Sequence, residues 1–96
     1  MLKKTYNKGK CRVTFKLPAD VNANEATLCG EFNEWDMDKH GMKVLKDGSF
    51  SVTVSLDEGH DYRFRYLLDG ERWENDWAAD AYVPNTFGTD DSLVSV

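Results

Sequence analysis

The sequence predicts an all-β fold, an antiparallel immunoglobulin-like β-sandwich of about seven short strands. Segments in which apolar and polar residues alternate recur along the chain, and clusters of turn residues separate them. No segment carries a convincing helical period, and residues 78–81 allow a single turn at most. A length of 96 residues, with 41% hydrophobic and 30% charged residues, is typical of one globular domain.

Turn signals bound the predicted strands. Pro18 ends the first strand, and a polar stretch over residues 20–25 leads into the second. A loop over residues 32–41 precedes the third strand, and Asp47-Gly48 indicates a tight hairpin between the third and the fourth. The predicted strands are residues 11–17, 26–30, 42–45, 50–56, 62–68, 71–73 and 93–96.

Strand parity predicts which side chains face the core. In the first strand the inward residues are Cys11, Val13, Phe15 and Leu17. The fifth strand gives the strongest signal, and its inward residues are Tyr62, Phe64, Tyr66 and Leu68. Its outward residues are Arg63, Arg65, Leu67 and Asp69. Asp69-Gly70 then turns the chain into the sixth strand.

Charge is distributed unevenly along the chain, whose net charge is −5. Residues 1–16 hold six basic side chains and no acid, whereas the remaining residues hold six basic against all 17 acidic side chains. An acidic body repels phosphate backbones, so we expect no nucleic-acid partner. We expect residues 1–10 to form a basic N-terminal lead-in and residues 11–96 to form a single β-sandwich domain.

The chain contains no apolar run long enough for a signal peptide or a membrane span. We therefore expect a cytoplasmic protein with no membrane partner. Cys11 and Cys29 show no metal-ligand spacing and no disulfide framework, which favours two reduced thiols over a bridge.

Catalytic and metal-binding patterns are scarce. His40 and His60 both lie in polar, turn-like stretches, where a solvated loop histidine is the favoured interpretation. The acidic pairs Asp36/Asp38 and Asp90/Asp91 lack the further oxygen ligands of a calcium loop. We therefore predict no enzyme activity, no metal and no cofactor.

The tryptophans are the candidate functional residues. Trp35, Trp73 and Trp77 lie in loops or at strand ends, where each ring either caps the sandwich or forms an apolar platform for a ligand. For Trp77 the cap is at least as favoured, and for Trp35 and Trp73 the platform is favoured. A pyranose ring stacks its C–H face on an indole, while polar side chains around the rim bind its hydroxyls. The rim candidates are Asn33, Arg63, Arg65, Thr89 and Asp91.

Four motifs together resemble the glycogen-binding domains of carbohydrate-binding module family 48, which includes the isoamylase N-terminal domains. The motifs are Leu28-Cys29-Gly30-Glu31-Phe32-Asn33-Glu34-Trp35, Asp47-Gly48-Ser49-Phe50, Tyr66-Leu67-Leu68-Asp69-Gly70-Glu71-Arg72-Trp73 and Asn85-Thr86-Phe87-Gly88. The resemblance covers residues 11–96 and implies an early-set immunoglobulin-like sandwich that binds α-1,4-glucans such as glycogen, starch or maltooligosaccharides. It also implies that Trp35 and Trp73 grip the curved glucan.

Further site residues follow from the resemblance. The family's basic sugar-contacting residue falls on Arg65 when counted back from Asp69-Gly70, and on Arg63 when counted forward from residues 58–59. Phe87 and Thr89 match the family's apolar residue and its following threonine. The family's sugar-contacting asparagine falls on Asp91, whose carboxylate accepts hydrogen bonds but does not donate them.

Two functions from different classes remain open on the sequence. The first is a non-catalytic glucan-binding module that serves a glycogen-metabolising enzyme. The second is a protein-docking domain of the isoamylase N-terminal type without independent sugar binding, which buried or partner-covered tryptophans would favour.

Overall fold

The computed structural model describes residues 2–96, which form two antiparallel β-sheets packed face to face. Nine strands are present in this part of the chain, together with two short 3-10 turns at Ala19–Val21 and Glu31–Asn33. The strands are β1 (Leu2–Asn7), β2 (Lys10–Leu17), β3 (Ala26–Gly30), β4 (Lys43–Val44), β5 (Phe50–Asp57), β6 (Asp61–Leu68), β7 (Arg72–Glu74), β8 (Ala81–Pro84) and β9 (Asp90–Ser95). The predicted immunoglobulin-like β-sandwich is confirmed.

The first sheet has the strand order β1-β2-β5-β4, and the second has the order β3-β6-β9-β8. Strand β6 has two further partners along its length. Its residues 61–64 pair with β9, and its residues 66–68 pair with β7. The ion pair between Lys4 of β1 and Asp80, just before β8, joins the two sheets along one side. The bridge between Thr27 of β3 and Gly41 lies at the opposite side of the second sheet.

The core fills the space between the sheets with the predicted inward side chains. Phe15 and Phe64 meet edge to face across this space with their ring centroids 5.0 Å apart, and Tyr66 lies 5.6 Å from Phe64. Each of these rings is fully buried, and such aromatic contacts add to the stabilisation from apolar burial. The parity predicted for β2 is confirmed, because Cys11, Val13, Phe15 and Leu17 are all buried.

The basic lead-in predicted for residues 1–10 contains a strand that the sequence analysis did not assign. Strand β1 pairs with β2 through a two-residue turn at Lys8-Gly9, with φ of 51° and 80°. Positive φ at both central residues is the geometry of the type I′ turn, which matches the twist of a β-hairpin. The consecutive lysines Lys3 and Lys4 interrupt the apolar alternation by which a strand is recognised.

Two other differences concern β8 and β9. Residues 81–84, expected to be irregular, form β8 at the edge of the second sheet, where Pro84 removes no hydrogen bond from a neighbouring strand. Strand β9 begins at Asp90 rather than at residue 93. Consequently, the connection between the last two strands is only residues 85–89, which we call the rim loop.

Both thiols are free and buried, as expected. Cys11 belongs to the core, whereas Cys29 pairs in register with Arg65 on the outward face of the second sheet. Leu67 also lies on this outward face, yet it is only 5% exposed, opposite Trp73 in the register. The outward face of the second sheet is therefore covered at Cys29 and at Leu67. Within residues 2–96, no helix is long and apolar enough to cross a membrane.

Candidate functional site

An open groove of about 1080 Å³ lies on the outward face of the second sheet. It brings together seven of the eight site residues expected from the sequence. These are Trp35, Arg63, Arg65, Trp73, Phe87, Thr89 and Asp91. Four further residues line it, namely Met37, Pro84, Asn85 and Thr86. The groove thus joins four segments that are distant in sequence.

A type I′ turn sets Trp73 at the edge of the groove. Asp69 and Gly70 have φ of 54° and 72°, and the amide of Glu71 donates to the carbonyl of Leu68 at 3.1 Å. Strand β7 then runs back along β6, and its register places the Trp73 side chain on the same face as Arg65. The Trp73 ring is 40% exposed, so it offers an apolar face to the groove.

Arg65 lies beside the Trp73 ring. Its guanidinium carbon is 5.7 Å from the centroid of the Trp73 ring, within the range of a cation–π contact. Its Nε is buried and has no hydrogen-bond partner within residues 2–96. A buried donor without a partner costs free energy, which the contact of the guanidinium with the Trp73 ring partly offsets.

Trp35 reaches the groove from a strained turn. Glu34 and Trp35 both adopt left-handed backbone conformations, with φ of 56° and 59°, and the amide of Trp35 donates to the carbonyl of Gly30 at 2.8 Å. This region costs a non-glycine residue about 1–2 kcal/mol, so the surrounding contacts must hold the turn. The close approach of backbones requires Gly30, because a Cβ there would lie 2.7 Å from the carbonyl oxygen of Arg63.

Asn33 lies outside the groove and holds the Trp35 turn in place. It is only 5% exposed. Its Oδ1 accepts from the amide of Gly30 at 3.0 Å, and its Nδ2 donates to the carbonyl of Leu28 and to Nδ1 of His40. The structure therefore places Asn33 as a positioning residue rather than at the rim. His40 is half-buried in this cluster, and burial, with a smaller contribution from Lys39, lowers its pKa.

The rim loop forms the opposite wall of the groove around the side chain of Asn85. Oδ1 of Asn85 accepts from the amides of Phe87 and Thr89 at 2.9 and 3.2 Å. Nδ2 donates to Oγ1 of Thr89 at 2.8 Å and to Oδ1 of Asp91 at 3.1 Å. Phe87 is 87% exposed at the tip of this loop. An aromatic side chain so exposed on an ordered loop is available for stacking with a ligand.

Asp91 connects the rim loop to Arg63. It is buried, and its Oδ2 lies 3.5 Å from Nη1 of Arg63, which also donates to the carbonyl of Pro84 at 3.0 Å. Asp91 thus uses its carboxylate within the protein, at the position where the resembling family has a sugar-contacting asparagine. Of the two arginines considered for ligand contact, Arg63 is engaged in these bonds, whereas Nε of Arg65 has no hydrogen-bond partner within residues 2–96.

Trp77 lies outside the groove and does not cap the sandwich. It is 54% exposed, and its Nε1 donates to Oε2 of Glu74 at 2.9 Å. Among the groove residues that the sequence analysis did not assign, Asn85 belongs to the last of the four quoted motifs. Met37 carried no signal, because neither a period nor a motif identifies a loop methionine as a site residue.

The groove contains apolar faces and hydrogen-bonding groups but no evident nucleophile. The nearby Cys29 thiol has its pKa raised to about 11, mainly by burial and also by Asp36 and Asp38, so it stays protonated at neutral pH. Within residues 2–96, no group of three or more His, Cys, Asp or Glu side chains is arranged to hold a metal ion. The arrangement is suited to binding.

Residues 4–83 match the family model of carbohydrate-binding module 48, the isoamylase N-terminal domain. The chain belongs to the carbohydrate-binding module 48 family. The family consists of non-catalytic binding modules, so the groove of this module is a candidate carbohydrate site. The matched residues include Trp35, Arg65 and Trp73 and end before the rim loop. A comparison with curated proteins gave no match.

Proposed function

We propose that this protein is a non-catalytic module that binds α-1,4-glucan, such as glycogen, starch or maltooligosaccharides, in the groove. One observation carries the proposal, namely that Trp35 and Trp73 line the same groove as Arg65, whose guanidinium lies beside the Trp73 ring. In the proposed complex, sugar rings stack on the two indoles, and Arg65 donates to sugar hydroxyls.

The shape of the groove supports a chain ligand over a small molecule. The groove is open to solvent, and its aromatic walls belong to separate segments, so a curved glucan can pass between them without threading through an enclosed cavity. Phe87 and Thr89 of the rim loop would contact the same chain from the other side. Binding through several shallow contacts predicts modest affinity for one short chain and stronger retention on a branched polymer.

The acidic groove residue does not supply glycosidase chemistry in this proposal. Hydrolysis of a glycosidic bond uses two carboxyl groups on opposite sides of the scissile bond. The carboxylate of Asp91 is bound to Arg63 and Asn85, and the groove contains no second carboxylate among its lining residues. We therefore propose a module without catalytic activity that brings a glycogen-metabolising enzyme to its polymer, in the cytoplasm.

Native gel electrophoresis in the presence of glycogen tests the proposal. We expect glycogen in the gel to slow the protein, and β-cyclodextrin, a closed α-1,4-glucan ring, to relieve the retardation by competition. Val44→Ala is a matched control, because Val44 is a 53% exposed apolar residue on β4, away from the groove. Unchanged mobility of the folded protein would contradict glucan binding and would point to the protein-docking function instead.

A further inference from the structure

The exposed large apolar side chains within residues 2–96 fall into two groups and a single outlier. Met37, Trp73 and Phe87 line the groove. Tyr6, Trp77 and Tyr82 are also exposed, at 51%, 54% and 46%, but none of them lines the groove. Val44 is the outlier. Isolated apolar residues on a surface need no explanation, whereas a group of them indicates an interaction site.

The second group lies along the side of the sandwich where β1 and β8 are the outermost strands, which we call the β1–β8 edge. Tyr6 faces the core side of β1, opposite the buried Cys11 in the register. Tyr82 faces the core side of β8, opposite the buried Ser92. Because β1 and β8 are the outermost strands of their sheets, no neighbouring strand covers these two rings at the opening between the sheets.

The segment before β8 closes this edge and carries the third ring. Lys4 donates to Oδ2 of Asp80 at 2.6 Å, which ties β1 to this segment. The hydroxyl of Tyr82 donates to the carbonyl of Asp76 at 2.6 Å and accepts from the amide of Ala79 at 3.3 Å. Trp77 lies within the turn that these bonds define. The Trp77 and Tyr82 rings therefore flank one short turn, with the ion pair beside them.

The turn is anchored from within the core, so its rings are held in place. Asp76 is 1% exposed, and its Oδ2 accepts from the hydroxyl of Tyr66 at 2.6 Å. Its amide donates to Oγ of Ser92, and Nε1 of Trp77 donates to Glu74. The polar tips of Trp77 and Tyr82 are thus bound to the protein, while about half of each side chain remains exposed. A platform that is ordered in advance loses little conformational entropy when a ligand binds.

We infer that the β1–β8 edge is a second carbohydrate platform, on which Trp77 and Tyr82 stack a separate segment of glucan. The inference rests on the proposed glucan ligand but not on the groove residues. The edge has the chemistry of a sugar site because its exposed large apolar side chains are all aromatic and charged hydrogen-bonding groups flank them, namely Lys4, Glu74 and Asp80.

Two platforms on different faces would let one module contact two branches of a polymer. The groove lies on the outward face of the second sheet, and the β1–β8 edge lies at the side of the sandwich. A second contact made within one complex raises retention on a branched polymer without changing the affinity of either site for a short chain.

The three indole N–H signals in a 15N-labelled sample, assigned with Trp→Phe variants, test the inference during a titration with maltoheptaose. We expect the Trp77 signal to shift saturably, and to keep the same midpoint in the Trp73→Ala variant, where groove binding is weakened. A Trp77 signal that stays fixed while the Trp35 and Trp73 signals shift would overturn the second platform and leave the groove intact. A shift of Trp77 alone would support the second platform and contradict the groove, and three fixed signals would overturn both.

A variant provides an independent measurement. Trp77→Ala removes a largely exposed ring, and we expect it to weaken apparent glycogen affinity in the native gel by about twofold or more. Its affinity for β-cyclodextrin at the groove should stay unchanged, as should the glycogen affinity of the control Val44→Ala. Glycogen affinity equal to that of the unmodified protein would overturn the second platform.

Discussion

Replacing Trp73 by alanine should weaken glucan binding by at least about tenfold. The ring is 40% exposed, which leaves about 100 Å² of a tryptophan side chain of roughly 250 Å² for a ligand to cover. Covering between half and all of that area, at about 25 cal/mol per Å², contributes about 1.2 to 2.5 kcal/mol, or about 8- to 70-fold in affinity. Arg65 also loses its cation–π contact with the ring, so its guanidinium is held less firmly.

The same substitution removes buried area, and the assay must separate this effect from binding. Trp73 lies opposite Leu67, which is 5% exposed, so we expect an unfolding free energy lower by about 2–3 kcal/mol and a midpoint lower by about 10 °C. Calorimetric titration with β-cyclodextrin at 15 °C keeps the variant folded. Trp73→Leu is the matched control, because leucine still covers Leu67 but offers no flat ring.

The two variants are expected to differ in stability and not in affinity. Both Trp73→Ala and Trp73→Leu should lose affinity to a similar extent, although Trp73→Leu should be the more stable of the two. Full affinity in Trp73→Leu would refute stacking at this position. Unfolding of both variants at 15 °C would show that the ring is a core residue and not a platform.

Three further predictions concern residues that hold the groove or the β1–β8 edge in place. Asn85→Ala should free the rim loop and weaken β-cyclodextrin affinity by about fivefold, because ordering the loop then costs about 1 kcal/mol on binding; calorimetry checks this, and unchanged affinity would contradict a positioning role. Tyr66→Phe should remove the donor to the buried Asp76 and lower the unfolding midpoint by about 10 °C, as measured by circular dichroism. Burial lowers the pKa of His40 from its ordinary value of 6.5, so its contribution to stability is present above pH 6.5 and is lost as the pH falls through the lower folded-state value. We expect β-cyclodextrin affinity to fall over that range, and His40→Gln to remove this part of the pH dependence.

The turn before Trp73 and the outward face of β6 could be predicted from the sequence because both depend on local rules. Asp69-Gly70 specifies the type I′ turn, and a period of two specifies the outward face of β6. A two-residue loop would pair Leu68 with Glu71, whereas the structure pairs Leu68 with Arg72, and this extra loop residue brings Trp73 to the same face as Arg65. Residue type and spacing therefore predict the turn and the outward face of β6, but the register that orients Trp73 required the structure.

Other features depend on contacts between distant residues. The buried position of Asn33 follows from its bonds to Gly30, Leu28 and His40 within a folded turn, whereas its sequence neighbours gave it the pattern of an exposed rim residue. The engagement of Asp91 with Arg63 joins residues 28 positions apart. Strand β1 escaped prediction because it lies at an edge, where four of its six residues are exposed and two are lysines.

The distinction between Arg63 and Arg65 also depends on contacts between residues that are distant in sequence. Strand parity placed both side chains on one face and could not rank them. The structure separates them, because Pro84 and Asp91 bind the guanidinium of Arg63 while Nε of Arg65 has no partner within residues 2–96. Pro84 belongs to a strand that the sequence did not predict, and so the distinction required the tertiary fold.

Calorimetric titration with maltoheptaose and, separately, with cellohexaose tests the central claim most directly. Both ligands are glucose chains, but only the first has the α-1,4 linkage and the curvature that the proposed complex requires between Trp35 and Trp73. We predict saturable binding of maltoheptaose and none of cellohexaose at the same concentrations. Equal binding of the two, or binding of neither by the folded protein, would contradict an α-glucan site in this groove.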